Sequence, residues 1–421
     1  MPNQRRPAVL LALVAGVVTA VPALSACGVP AGRTRALQPA ATHPGAAGTA
    51  AATGAPAVTV APAPGTRGAP VTTEITVGVG GGVLASVTLT GPDGRPVPGA
   101  VRADGSSWVP ARPLAYGQRY TATVTARGPG GAATVRGTTF STMTEPGGAR
   151  IGTGLYFFDG ATYGVGMPVV VEFDTPIPDA AKATVQHRLF VTSDPPQPGA
   201  WRWYGDRQVL FRPRVYWQPG TRLTVRAALG GLPVGGRLLD TDRGGTATIG
   251  ARQLFLVRDG DKSLSVYRSG RLVRRFPVSL GKPSTPTSSG TLVIMSRDTS
   301  TRFKTSQYEL TAYYAERLTW GGQYFHAAPW SVAQQGSRNV SHGCVNLSLD
   351  SAHWVYQHSR IGDPVAVTGT PVHIDPGDGW TVWDMPWSEY VQGSGQADPE
   401  PPGSLAGPGG EPVTGTIRVV L

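Results

Sequence analysis

Cysteine is scarce in this chain, which holds only Cys27 and Cys344 among its 421 residues. The metal-binding patterns C-x-x-C and H-E-x-x-H are absent, and His353 and His358 lie five residues apart, about 140° around a helix, too far to chelate one ion together. The glycine run at 80–82 has no helix signal after it and so does not match a phosphate-binding loop. The sequence therefore predicts neither a metal nor a cofactor.

Long apolar runs are also missing. The longest, Ala8 to Val21, has 14 residues, fewer than the ~20 that a membrane-spanning helix needs. It follows Arg5 and Arg6 and precedes Leu24-Ser25-Ala26-Cys27, an order typical of a bacterial lipoprotein signal peptide cleaved after Ala26. We therefore expect a signal peptide over 1–26, acyl chains on Cys27, and an extracytoplasmic protein attached to the cell membrane by its lipid.

Acidic residues are outnumbered by basic ones, 26 against 37, which gives a formal charge of +11. This excess favours a polyanionic neighbourhood. Nucleic acid does not fit an exported protein without zinc-finger, RNP-like or helix-turn-helix patterns, whereas anionic wall polymers and lipid head groups do. An arginine-rich coding bias that serves only solubility explains the charge equally well.

The middle of the chain predicts a mainly β fold. Residues 27–70 are Ala, Gly, Pro and Thr-rich and are expected to be a disordered tether. Strand-like segments follow, and Arg112-Pro113 with Tyr116 recurs as Arg212-Pro213 with Tyr216, offset by 100 residues. We therefore expect two tandem immunoglobulin-like β-sandwiches, at 71–145 and 150–250.

Aromatic residues are concentrated in the second of these blocks and allow two interpretations. They are sandwich core or, less favoured, a carbohydrate-binding platform, since aromatics are enriched in strands and release much free energy on burial. The set is Trp201, Trp203, Tyr204, Phe211, Tyr216 and Trp217.

The last block, 251–369, opens as a β-meander with strands over 253–257, 263–268 and 271–278. One helix is expected over 351–359, with Asp350 as its N-cap. Residues 370–393 hold three tryptophans and are expected to pack back on this block as a subdomain. The Gly, Pro and Glu-rich tail at 394–421 is expected to be disordered.

Cys344 lies in the motif Ser341-His342-Gly343-Cys344 and is a lone thiol once Cys27 is acylated. A nucleophilic thiol needs a base, and two histidines qualify. His342 would share a face with Cys344 if the segment is a strand, and His326 follows an expected strand over 321–325. Lone cysteines and histidines are also common as packed core residues, so these residue types alone do not decide the matter.

The surrounding sequence carries a resemblance. Tyr324 to Val332, Gln335-Gly336 and Ser341 to Ser348 closely resemble the active-site region of the L,D-transpeptidases, the family with the YkuD-type catalytic domain. Gly281 to Thr287 with Gly290 is similar to another of its segments. The resemblance covers about 251–393, and two immunoglobulin-like domains behind a lipid anchor look like mycobacterial-type members.

This resemblance implies a cell-wall enzyme that makes 3→3 crosslinks between peptidoglycan tetrapeptide stems. Cys344 would attack the carbonyl of the third stem residue, expel D-alanine and leave a thioester, which a diaminopimelate amine on a second stem resolves. Water as acceptor would give carboxypeptidase activity. Carbapenem-type β-lactams, which imitate the acyl donor, are the expected covalent inhibitors.

The same resemblance implies roles for individual residues. His326 matches the base, and the backbone amides of His342, Gly343 and Cys344 match an oxyanion hole. Ala327 stands where mycobacterial-type relatives carry Ser, which costs little if the family contact there is through the backbone carbonyl. The flap at 302–314 looks short. The remaining substrate-binding or supporting positions are Tyr308, a flap aromatic, with Trp330, Ser341 and Asn346.

Two other classes of protein compete with this interpretation. In a non-catalytic wall-binding scaffold, the sandwiches would do the work and the last block would only grip peptide stems. A papain-like peptidase has its cysteine before its histidine, whereas here the candidate base His326 precedes Cys344. Reaction of Cys344 with a carbapenem separates the scaffold from an enzyme.

Overall fold

The computed structural model describes residues 54–304 and 309–396, together with the backbone of 405–406. Cys27, the predicted signal peptide and Tyr308 lie outside these residues. Within them the chain is mainly β, in the order of two sandwiches and a third, mixed domain. No helix in this part of the chain combines the length and the apolar character needed to cross a membrane.

The first sandwich packs two sheets, one with the strand order β1-β2-β5-β4 and one with the order β3-β6-β7. In β6 the side chains of Tyr120, Ala122 and Val124 point into the core, while the alternate threonines face out. Its strands are β1 (Ala57–Ala61), β2 (Ile75–Gly80), β3 (Val83–Thr90), β4 (Gly99–Arg102), β5 (Ser107–Pro110), β6 (Arg119–Arg127) and β7 (Ala133–Ser141).

Two segments expected to be disordered contribute strands to this sandwich. β1 lies inside the predicted tether at 27–70 and pairs antiparallel with β2, because Val58, Thr59 and Val60 alternate between core and surface although prolines surround them. β28 (Leu405–Ala406) lies inside the predicted disordered tail and pairs with β4. The tether and tail predictions are therefore wrong over these stretches.

The second sandwich packs the sheets β12-β13-β10-β8 and β11-β14-β17-β9. Its aromatic residues are core, as favoured from the sequence: Trp201, Phe211 and Trp217 are all buried. Its elements are β8 (Thr153–Leu155), β9 (Ala161–Tyr163), β10 (Val169–Phe173), α1 (Asp179–Gln186), β11 (Leu189–Asp194), β12 (Gly199–Tyr204), β13 (Gln208–Pro213), β14 (Arg222–Ala227), β15 (Pro233–Val234), β16 (Arg237–Leu238) and β17 (Arg243–Ile249).

The third domain packs a sheet of order β20-β19-β18-β26-β21-β27 beside a second of order β22-β23-β24-β25. Its elements are β18 (Gln253–Arg258), β19 (Ser263–Arg268), β20 (Arg271–Pro277), β21 (Ser288–Val293), β22 (Ser296–Lys304), β23 (Glu309–Arg317), β24 (Tyr324–Ala327), β25 (Val345–Leu347), α2 (Leu349–His358), β26 (Pro364–Thr368), β27 (Val372–His373) and α3 (Trp387–Tyr390), with 3₁₀ turns at Pro329–Gln334 and Val391–Gly393.

Two details of this domain differ from the sequence-based expectation. The N-cap of α2 is Ser348, whose hydroxyl accepts from the Ser351 amide, so the helix begins earlier than expected and Asp350 lies in its first turn. The segment 370–393 was expected to pack on its own domain, and it packs against the second sandwich in addition. Tyr390 donates to the Leu210 carbonyl at 2.7 Å, and Trp383 donates to the Gly166 carbonyl at 2.7 Å.

A buried carboxylate joins the two sandwiches. Glu74 of the first sandwich binds Arg102 at 2.6 Å and also pairs with Arg188 of the second. Arg102 in turn donates to the His187 carbonyl at 2.9 Å. Burial by itself raises the pKa of Glu74, but the Arg102 hydrogen bond and the Arg188 charge outweigh it and lower that pKa to about 2.

We predict that Glu74→Gln destabilises the protein by about 3–5 kcal/mol near neutral pH, because two buried arginines lose their counter-charge. The depressed pKa means that this stabilisation is present above about pH 4.5 and is lost as the pH falls towards 2. Calorimetric melting of both proteins against pH measures it. The matched Glu145→Gln, which breaks an exposed pair with Arg150, should change little, and an equally small effect of Glu74→Gln would contradict the prediction.

Candidate active site

Two short parallel strands at the centre of the third domain position the candidate catalytic pair. β24 and β25 pair in the register Phe325↔Val345, His326↔Asn346 and Ala327↔Leu347. Phe325 and Ala327 face the hydrophobic core, so the alternation of the strand turns His326 to the opposite face. Cys344 immediately precedes β25. The side chains of His326 and Cys344 line the same cavity, which has a volume of about 340 Å³.

His326 is held as a neutral base. The residue is 4% exposed, and Nδ1 lies 2.9 Å from the Ala327 carbonyl oxygen. A carbonyl only accepts, so Nδ1 carries the proton and Nε2 is the acceptor. Burial lowers the pKa of His326, against a smaller opposing effect of the Ala327 carbonyl. The contact thus runs through the backbone of Ala327, and a serine side chain is not needed for it.

Cys344 is a neutral thiol in this conformation. It is partly exposed, and its Sγ donates to the Gly322 carbonyl at 3.6 Å. Burial raises the pKa of the thiol to about 11. Among the described residues no hydrogen bond joins Sγ to His326, so the thiol must turn from the Gly322 carbonyl before its proton can pass to the imidazole.

The turn before Cys344 is fixed by hydroxyl groups. Gly343 has φ +115°, a conformation that favours glycine. The Ser341 hydroxyl accepts from the Gly343 amide at 3.1 Å and donates to the Cys344 carbonyl at 2.6 Å. Buried Thr287 accepts from the Gly281 amide and donates to the Gly343 carbonyl, both at 2.9 Å. Ser341 and Thr287 therefore set the shape of this turn.

This turn changes the expected oxyanion hole. The Gly343 amide donates to the Ser341 hydroxyl and so does not point to an oxyanion in this conformation. Gly343 contributes to the site through the backbone conformation of the turn. Among the described residues the Cys344 amide has no hydrogen-bond partner. His342 is exposed and its Nε2 lies 2.9 Å from Lys282 Nζ. Because residues 341–344 form no strand, the condition under which His342 would act as the base of Cys344 is not met.

The walls of the cavity are mostly apolar. Trp330 in the 3₁₀ turn is 57% exposed and stacks on His326 at 6.1 Å between ring centroids. Asn346 lines the cavity and donates from Nδ2 to the Ser331 hydroxyl at 3.1 Å. Opposite, Phe303 and Leu310 face each other across the β22–β23 hairpin and also line the cavity. The expected flap region, 302–314, contains the paired ends of β22 and β23, each nine residues long.

The family of this chain follows from comparison with known proteins. The model for the L,D-transpeptidase catalytic domain matches residues 252–374, and that for a bacterial Ig domain matches 66–233. L,D-transpeptidase 2 of Mycobacterium tuberculosis is 37% identical over 347 residues, which cover 79% of this chain and 83% of that protein. The chain belongs to the L,D-transpeptidase family.

One more relative and one solved structure are also similar to this chain. L,D-transpeptidase 5 of Mycobacterium tuberculosis is 33% identical over 338 residues, covering 77% of this chain and 74% of that protein. A solved LD transpeptidase in complex with imipenem aligns over 52% of this chain and 100% of its own, with 34% identity and a TM-score of 0.44.

Several residues at the site of this L,D-transpeptidase were not predicted from the sequence. Phe303, Leu310 and Val340 are ordinary apolar residues whose lining role depends on the tertiary fold. Thr287 and Lys282 lie in the segment 281–287 that resembles the family, which was the available signal. Tyr308 falls outside the described residues. In the part of the chain that the structure describes, no three His, Cys, Asp or Glu side chains cluster in a way that would hold a metal ion.

Proposed function

We propose that this L,D-transpeptidase forms 3→3 peptidoglycan crosslinks through a thioester on Cys344. The observation that carries the proposal is the shared cavity, in which Cys344 lies with a buried histidine whose Nε2 is the acceptor. A thiol and an imidazole so placed suit nucleophilic catalysis, in which one difficult amide exchange is divided into two displacements.

In the first displacement, Nε2 of His326 takes the thiol proton as Sγ attacks the carbonyl carbon of the third stem residue. The tetrahedral oxyanion is met by the Cys344 amide. The C–N bond to D-alanine then breaks, and the imidazolium returns its proton to the departing amine. The product is a thioester and free D-alanine.

In the second displacement, the side-chain amine of a diaminopimelate on another stem attacks the thioester. His326 removes the amine proton and returns it to the departing sulfur, which restores the neutral thiol. The new amide is the 3→3 crosslink, and water in place of the amine would give a shortened stem. The strained amide of a carbapenem can replace the donor carbonyl, so we propose these β-lactams as covalent inhibitors.

Cys344→Ser should abolish crosslinking without lowering the melting temperature. His326→Gln should slow acylation by about 10²- to 10⁴-fold, the usual contribution of a general base. Mass spectrometry of products from disaccharide tetrapeptide, and of the intact protein after exposure to a carbapenem, measures both steps. The matched control is His353→Gln, an exposed histidine on α2 outside the cavity.

Normal turnover by Cys344→Ser would remove the catalytic assignment. Absence of both a carbapenem adduct and a crosslinked product in the unmodified protein would instead favour the scaffold interpretation.

We also propose that acyl chains on Cys27 hold the enzyme on the cell-wall side of the membrane, where its peptide substrates lie. The support is the sequence alone, since Leu24-Ser25-Ala26-Cys27 follows a short apolar run. More than one chain is needed for stable attachment. Cys27→Ala should therefore move the protein from the membrane to the soluble fraction, as read by fractionation, with Cys344→Ser as the matched cysteine control. Persistent membrane association would contradict the anchor.

A further inference from the structure

The segment 281–287 holds a charged side chain that the cysteine and histidine chemistry does not use. Lys282 donates its backbone amide to the Ser341 carbonyl at 2.9 Å, next to a bridge between Gly281 and Ser341. Its Nζ lies 2.9 Å from Nε2 of His342, which lines the catalytic cavity. The ammonium group of Lys282 thus lies next to a residue of the cavity wall.

This ammonium differs from the other lysines of the chain. The sequence contains four, and three of them pair with a carboxylate: Lys182 with Asp179, Lys262 with Asp259 and Lys304 with Glu309. Lys282 has no carboxylate within 4.0 Å among the described residues. An ammonium has three donors and no acceptor, so the contact to His342 uses one and leaves others for a ligand.

The described residues that line the cavity beside Lys282 include no lysine or arginine. Phe303, Leu310, Trp330 and Val340 supply apolar walls. A carboxylate brought into this site needs a charged partner, because burial of an unpaired charge is costly. A peptidoglycan donor stem carries such carboxylates, at its terminal residue and on the side chain of its third residue.

We propose that Lys282, held in place by His342, forms a subsite that binds a carboxylate of the donor stem. The inference rests on the proposed function and names a specificity determinant within it. The ammonium pairs with the carboxylate as the reacting carbonyl approaches Cys344, so a donor without that carboxylate loses the contact. The carboxylate of the terminal residue and that of the third residue would bind an ammonium in the same way. Donors in which one or the other is amidated show which of them Lys282 binds.

The test compares the unmodified enzyme with Lys282→Met and Lys282→Arg on three donors: the free stem, its terminal amide and its third-residue amide. Lys282→Met should lower kcat/KM for the free stem by about tenfold to hundredfold, mainly through KM, since a hydrogen bond to a charged group is lost. Amidation of the recognised carboxylate should erase this difference. Lys282→Arg should retain most of the activity, and Lys182→Met, which removes the same charge from α1 of the second sandwich, should retain all of it.

Binding of the same donors to the Cys344→Ser protein, with and without Lys282→Met, provides a readout that needs no turnover. If the unmodified enzyme forms no thioester, the proposed function fails, while the binding titration still tests the subsite. An equal loss on all three donors, or no loss on any, would overturn the inference. Melting temperatures of the variants separate a lost contact from a lost fold.

Discussion

The parallel pairing of β24 with β25 is the constraint on which the site depends. These consecutive strands are joined by the 3₁₀ turn and the loop before Cys344, and their register puts His326 opposite Asn346 and brings Cys344 to the same cavity. The pairing is held from one side by the hydrophobic core, through Phe325, Ala327, Val345 and Leu347. A one-residue slip would turn His326 into that core and Phe325 into the cavity.

Electrostatics then determine the resting state of the pair. Burial raises the pKa of the Cys344 thiol and lowers that of the His326 imidazole, so both are neutral. Separating charge between them in the empty cavity would require burial of a thiolate and an imidazolium without compensating partners. In the proposed mechanism, proton transfer is therefore coupled to the attack on the substrate, when the developing oxyanion and the departing amine receive the charge.

The sequence predicted the family and the fold class better than the contacts that hold the site together. The motifs that surround Cys344 and His326 and the alternation of the sandwich strands are local signals, and they were sufficient for the fold class and the family. The β1 strand was missed because flanking prolines and alanines concealed its short alternation. The hydrogen bond from the Thr287 hydroxyl to the Gly343 carbonyl joins segments 56 residues apart, which no local pattern supplies. The contact of the Ser341 hydroxyl with the Gly343 amide is local, but it depends on the backbone conformation of the turn, which the motif does not specify.

The most direct test of this account is the pH dependence of Cys344 alkylation by iodoacetamide, read by mass spectrometry on the peptide that contains Cys344. A neutral resting thiol with its pKa raised to about 11 predicts a rate that rises about tenfold per pH unit through pH 9 and levels off only near 11. A plateau already reached near neutral pH, and lost in His326→Ala, would reveal a resting thiolate and imidazolium pair and contradict the account.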